Sequence, residues 1–108
     1  MGELKLNEAL NLLYVIKHKP LYYETETDAD GKYFSWSCIQ PGLLGEGVTF
    51  DESISDMLSS LREGAEDYYA EKSLLKLPPE RVIENLQVLL STDEELRKCL
   101  IGTTYEDF

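Results

Sequence analysis

Three carboxylates, Glu24, Glu26 and Asp28, recur at every second residue of one stretch, with Asp30 continuing the series. In an extended chain, alternate residues share a face. Such a row has two chemical uses: holding a hard cation such as Ca²⁺ or Mg²⁺, or receiving a cationic partner. The calcium-loop spacing fails, because a loop begun at Asp28 has Ile39, not Glu, at its twelfth position. The row reads as a solvated strand face or as a contact for a basic partner, and no metal is assigned. His18, the single histidine, stands between Lys17 and Lys19 just before Pro20. A catalytic base needs an orienting carboxylate and a nucleophile or substrate cleft; the pattern instead suits a helix end, where an imidazole complements the dipole. Cys38 and Cys99 lie in no CxxC or Cys/His ligand spacing, and two buried free thiols are expected. Gly42, Gly45 and Gly47 lack the lysine of a phosphate-binding loop. Tyr22, Tyr23, Tyr33, Phe34 and Trp36 suggest base stacking, but stacking platforms sit among basic residues and these sit among carboxylates. No catalytic residue and no cofactor is expected, and the chain reads as a non-enzyme.

Charge narrows the partner class. With 21 acidic and 10 basic residues the chain carries a net charge of -11. That field opposes nucleic-acid phosphates and anionic membranes, and it steers basic proteins inward. A hydrophobic content of 43% suits a globular chain. No apolar run reaches the roughly 18 residues a bilayer requires, and the N-terminal stretch lacks a basic start and a small-residue cleavage site. A cytoplasmic location is expected.

The elements that position these residues follow from periodicity. Asn7 to Lys17 has apolar residues at three- and four-residue spacing, predicting a helix capped by Asn7 and ended at Pro20. Leu21–Asp28 and Lys32–Gln40 alternate in polarity around Asp30-Gly31, which predicts a hairpin. A two-residue Asp30-Gly31 loop would place Thr27 opposite Phe34, Thr25 opposite Trp36 and Tyr23 opposite Cys38. Tyr23, Phe34, Trp36 and Cys38 would then face the core, with Glu24, Glu26, Asp28, Tyr33, Ser35 and Ser37 outside. Pro41-Gly42 breaks the strand, and Leu43–Val48 offers a third. Thr49 to Glu52 has capping-box spacing before a helix whose stripe is Ile54, Met57, Leu58, Leu61, Ala65 and Tyr68, with Ser53 off it. Pro78-Pro79 opens another helix with Val82, Ile83, Leu86, Leu89 and Leu90 as apolar positions, and Thr92–Glu95 caps a short last one.

Asp30-Gly31, the aromatic strand Tyr33-Phe34-Ser35-Trp36, Pro41-Gly42, Gly47, Thr49 and the acidic helix from Phe50 stand in an order and spacing that resembles the HicB-type antitoxin family. The resemblance covers roughly residues 21–69. It implies a three-stranded antiparallel sheet with one helix packed across it, similar to a partial double-stranded-RNA-binding fold. It also implies pairing with a small basic HicA-type toxin that cuts RNA, and self-association. Family antitoxins often end in a DNA-binding segment. Here the last helix starts on carboxylates where base contacts would be made, so nucleic acid is not an expected partner.

The expectation is an α+β protein, a single domain over residues 1–108. It has a HicB-like core at 21–72, a C-terminal helical extension of two helices at 73–108, and an N-terminal helix. It would bind and occlude a basic toxin-like protein, with Glu24, Glu26 and Asp28 as the candidate contact and a homo-dimer as the assembly. The alternative is an acidic nucleic-acid mimic or solitary interaction protein with a different basic partner.

Overall fold

Hydrophobic periodicity places the helices, and a computed structural model describes residues 5–40 and 42–103. Pro41, half of the expected Pro-Gly break, and the last five residues of the tail lie outside the described residues. The elements are α1 (Leu6–Lys17), β1 (Leu21–Thr27), β2 (Tyr33–Ser37), β3 (Leu44–Gly47), α2 (Phe50–Ala70), α3 (Pro79–Leu90), α4 (Asp93–Cys99) and β4 (Leu100–Gly102), with a single 3₁₀ turn at Leu74–Lys76.

The class is α+β, with one correction. The sheet has four strands in the order β3-β2-β1-β4, and it is mixed rather than three-stranded and antiparallel. β4 runs parallel to β1, pairing Leu21 with Leu100 and Tyr23 with Gly102. The stretch after α4 is too short for a periodicity to register. It becomes a strand because α4 delivers it to the free edge of β1.

The hairpin forms where expected, but its register is one residue away: Thr27 pairs with Tyr33, Thr25 with Ser35 and Tyr23 with Ser37. The loop has three residues, Ala29 to Gly31, instead of two. Asp28 Oδ1 accepts hydrogen bonds from the backbone N–H groups of Asp30 and Lys32, both at 2.9 Å. The Gly31 N–H reaches the Asp28 carbonyl, and Gly31 adopts φ +81°. This is a turn followed by a left-handed residue, the three-residue hairpin solution. The slip exchanges the two faces of β2 while β1 keeps the expected ones, with Tyr23 toward the core. Ser35 and Ser37 are buried, while Phe34, Trp36 and Cys38 turn to the opposite side.

Small inner residues let α2 lie close to the sheet. A Cβ on Gly47 would come within 2.8 Å of the Ser53 amide nitrogen, and one on Gly45 would overlap the Met57 backbone. Thr25, Ser35 and Ser53 hydroxyls form a chain with both steps at 2.8 Å, so Ser53, expected off the stripe, is buried. The core comprises Leu21, Ile54, Met57, Leu58, Leu61, Ala65, Val88 and Leu96. Thr49 Oγ1 accepts from the Glu52 N–H at 3.1 Å, as capping requires. The Glu52 carboxylate instead takes the Val48 N–H at 3.0 Å. Thr92 and Glu95 complete a reciprocal capping box.

Residues after 73 are tied into this core. Val88 and Leu96 belong to it, and the Arg62 guanidinium donates to the carbonyls of Val88 and Ser91 and to Asp93. α3 buries Glu84, Asn85, Gln87 and Val88, leaving Leu90 exposed.

Candidate functional site

The face of the sheet away from α2 is built by alternation along three strands. Glu46, Phe34 and Glu26 form one row across it, and Leu44, Trp36 and Glu24 the next. Cys38, Tyr22 and Ile101 follow, set by the Cys38 N–H donating to the Tyr22 carbonyl and by the Tyr22–Ile101 pairing. Among the described residues no helix covers this face. Tyr22, Leu44 and Ile101 are each more than two-fifths exposed, and Phe34 and Trp36 are half-buried. The result is an apolar, aromatic centre with glutamates at one end.

Of the expected contact residues, the fold brings Glu24 and Glu26 together on this face. Glu24 sits opposite Trp36 and Glu26 opposite Phe34. Asp28 closes the hairpin loop as described and is exposed beyond the end of the strand. Among the described residues neither Glu24 nor Glu26 has an ion-pair partner. Lys32 lies on this face, its Nζ 3.4 Å from Glu46 and 5.8 Å above the centre of the Phe34 ring.

Three carboxylates of α2 are engaged internally. Asp56 accepts from the Glu46 N–H at 2.9 Å, Glu52 caps Val48, and Asp51 pairs with Arg97 at 2.9 Å. With Ser60 Oγ donating to the Leu44 carbonyl at 3.1 Å, α2 side chains cap the outer edge of β3. Edge pairing with another strand is opposed there.

The remaining chemical candidates resolve into structural parts. His18 Nδ1 lies 2.9 Å from the Tyr14 carbonyl, and its ring stacks on Tyr14 at 4.0 Å. Cys38 and Cys99 are free thiols, but Cys38 is exposed and Cys99 half-buried, contrary to the expected burial. For Cys38 the cause is the hairpin register. Among the described residues no group of three or more His, Cys, Asp or Glu side chains could hold a metal ion, and no helix is long and apolar enough to cross a membrane.

Periodicity gave no hint of Glu84. Its side chain is buried beside a cleft lined by Lys19, Pro20, Tyr22, Ile39, Glu80 and Gln87. Its Oε1 accepts from Ser37 Oγ at 2.7 Å and Gln40 Nε2 at 2.9 Å, and Gln40 Oε1 accepts in turn from Asn85. These bonds tie α3 to the end of β2. Burial raises the Glu84 pKa above the ordinary 4.5, against the opposing effects of Gln40, Ser37, Arg81 and Lys19. The stabilisation from such a group is complete below the unfolded-state pKa and is lost as pH rises through the raised folded-state value. Glu95 acts in the opposite sense. The Lys17 ammonium at 2.8 Å, and then the Thr92 N–H, hold it down to about 2. Its contribution is complete above pH 4.5 and is lost as pH falls from there through about 2. Glu84→Gln should therefore gain on wild type as pH rises from 4.5 to 8, in thermal melts recorded at intervals. A constant difference across that range would contradict the assignment.

No protein-family model matches the chain, and no curated protein matches it. Among solved structures it is similar to a protein from Syntrophomonas wolfei subsp. wolfei, described as the antitoxin part of a proposed toxin/antitoxin system. The identity is 21%, the TM-score 0.70, and the match covers 87% of this chain and 70% of the other. The two chains share a fold.

Proposed function

We propose that this protein is a non-catalytic antitoxin of the HicB-like class, or a regulator derived from one. It binds a small basic HicA-type toxin on the open sheet face and blocks that toxin's RNA-contacting surface. The observation that carries the reading is the aromatic centre of the sheet, left open by the described residues, with Glu24 and Glu26 beside Trp36 and Phe34 and without an ion-pair partner among those residues. Protein interfaces of this kind have a desolvated aromatic centre and a charged rim. A net charge of -11 favours a cationic partner and disfavours nucleic acid. The fold shared with a solved antitoxin supports the role, and the spacing from Gly42 through Thr49 supports the HicB-like assignment. The complex forms in the cytoplasm, and the assembly contains more than one copy of the chain.

Co-purification of the tagged full chain from its native host at about 50 mM salt tests this reading. The expected result is a small basic protein that elutes as salt rises several-fold, and whose RNA cleavage stops at stoichiometric binding. A basic partner without ribonuclease activity would favour the acidic mimic. Failure to recover any basic protein would remove the proposal.

A further inference from the structure

α1 carries an apolar surface that the other described residues leave uncovered. No residue of the helix is buried, and Leu6, Leu10, Leu12, Leu13, Tyr14 and Val15 range from 37% to 76% exposed. At one residue per 100° of turn, Leu12, Ile16, Leu13, Leu6, Leu10 and Tyr14 span an arc of roughly 200°, about twice what a one-sided surface helix needs. The last turn is the anchored end. Gln87 Nε2 donates to the Lys19 carbonyl at 2.7 Å, Cys99 Sγ to the Lys17 carbonyl at 3.2 Å, and Lys17 pairs with Glu95. The opposite end projects, consistent with a molecule measuring 57 × 30 × 25 Å.

We infer that α1 is a dimerisation arm whose occupant is α1 of a second copy, packed antiparallel across a two-fold axis. The inference concerns the self-association included in the reading above and does not depend on the identity of the basic partner. Area supports it. The exposed side chains of α1 present on the order of 600 Å² per copy, so a symmetric pair can remove at most roughly 1,200 Å², the lower end of the range for a specific interface. A patch that pairs with itself is what two-fold symmetry requires.

Charge selects the same occupant. Between Lys5 and Lys19, three lysines face one glutamate, a net +2, so the remainder of the -11 chain carries -13. A basic protein is repelled by this segment and attracted elsewhere. Residues 9–16 in the middle of this segment are uncharged, so two copies crossing there bring no charges together, and pairing through projecting arms keeps the two acidic bodies apart. The sheet offers less: α2 side chains cap the β3 edge, and β4 at the other edge is three residues long.

Sedimentation equilibrium on the full chain alone tests the inference. The 12.3 kDa chain should sediment as a dimer at micromolar concentration. Leu10→Asp combined with Leu13→Asp should weaken self-association at least 100-fold. Leu75→Asp, at a site 84% exposed and outside α1, should leave it unchanged. Raised salt should not dissociate the dimer, in contrast to partner capture. Leu10→Cys should cross-link two copies on oxidation in a Cys38→Ser/Cys99→Ser background, a readout independent of the double variant's folding. A monomer at 100 µM, a dimer that survives the double substitution in folded protein, or a Leu10→Cys variant that does not cross-link would overturn the inference.

Discussion

Gly45→Ala should unfold the protein or come close to it. The closest approach between α2 and the sheet occurs at this residue, where a methyl group would overlap the Met57 backbone. Backbone, unlike a flexible side chain, cannot step aside, so α2 would have to lift from β3. The lift would strain the Ser35–Ser53 hydrogen bond and loosen Ile54, Met57 and Leu58 together. Overpacking a rigid site typically costs about 1–3 kcal/mol. A shift of a whole helix takes the expected loss to about 3–5 kcal/mol, a fall in melting temperature of roughly 15–30 °C. Other glycines grade the effect. Gly42, with nothing within 4 Å of its added Cβ, should accept Ala almost neutrally. Gly31, also uncrowded but at φ +81°, should lose about 1 kcal/mol. Denaturant titration of the three variants checks the order. A Gly45→Ala protein within about 0.5 kcal/mol of wild type would mean that α2 is not held where described.

Reversing Glu24 and Glu26 together to Lys should cut capture of the basic partner by about 100-fold at low salt, with much of the difference vanishing as salt is raised. Both side chains lie on the open face, opposite Trp36 and Phe34. Trp36→Ala should lower affinity by at least 30-fold, because truncating a central aromatic anchor costs about 2 kcal/mol or more. Its loss should depend little on salt, which separates the apolar centre from the charged rim. Asp67→Lys, on the exposed side of α2, should change affinity less than threefold. Calorimetry at two salt concentrations distinguishes these outcomes. Equal losses for Asp67→Lys and the Glu24/Glu26 pair would reduce the interaction to net charge alone.

Much of the framework was legible in the residues. The end of α1 at Lys17, the existence of the hairpin, the Thr49 cap, the α2 stripe and the Thr92–Glu95 box all follow from local rules acting within a few residues, whereas α1 starts at Leu6 behind Lys5 and not at the expected Asn7 cap. The face of the sheet was not. Alternation alone favours placing Phe34 and Trp36 inward, since large apolar residues belong in cores. Two things reversed that choice. Asp28 organises a three-residue loop rather than a two-residue one, and close approach of α2 at Gly45 favours a small residue at its neighbour Ser35, while Ser37 is drawn inward by its bond to Glu84. Gly45 carried part of this signal, because a glycine lying beside Ser35 marks a helix seated close above. α3 misled in the same way. Its polar Glu84, Asn85 and Gln87 turn inward because Ser37, Gln40 and the carbonyls ending α1 supply hydrogen-bond partners, which no periodicity reveals. β4 depends on a tertiary edge that forms only once β1 is in place. The candidate site therefore combines two glutamates visible in the alternation with an aromatic centre that the register uncovered.

Trp36 is the single tryptophan and lies at the centre of the proposed contact. Labelling the protein with 5-fluorotryptophan thus places one ¹⁹F reporter there, silent toward any unlabelled partner. Titration with the co-purified basic protein should move this resonance and protect it from solvent, saturating at one equivalent per binding face. A complex that forms while the Trp36 resonance stays unchanged would contradict the assignment of the open sheet face as the binding surface.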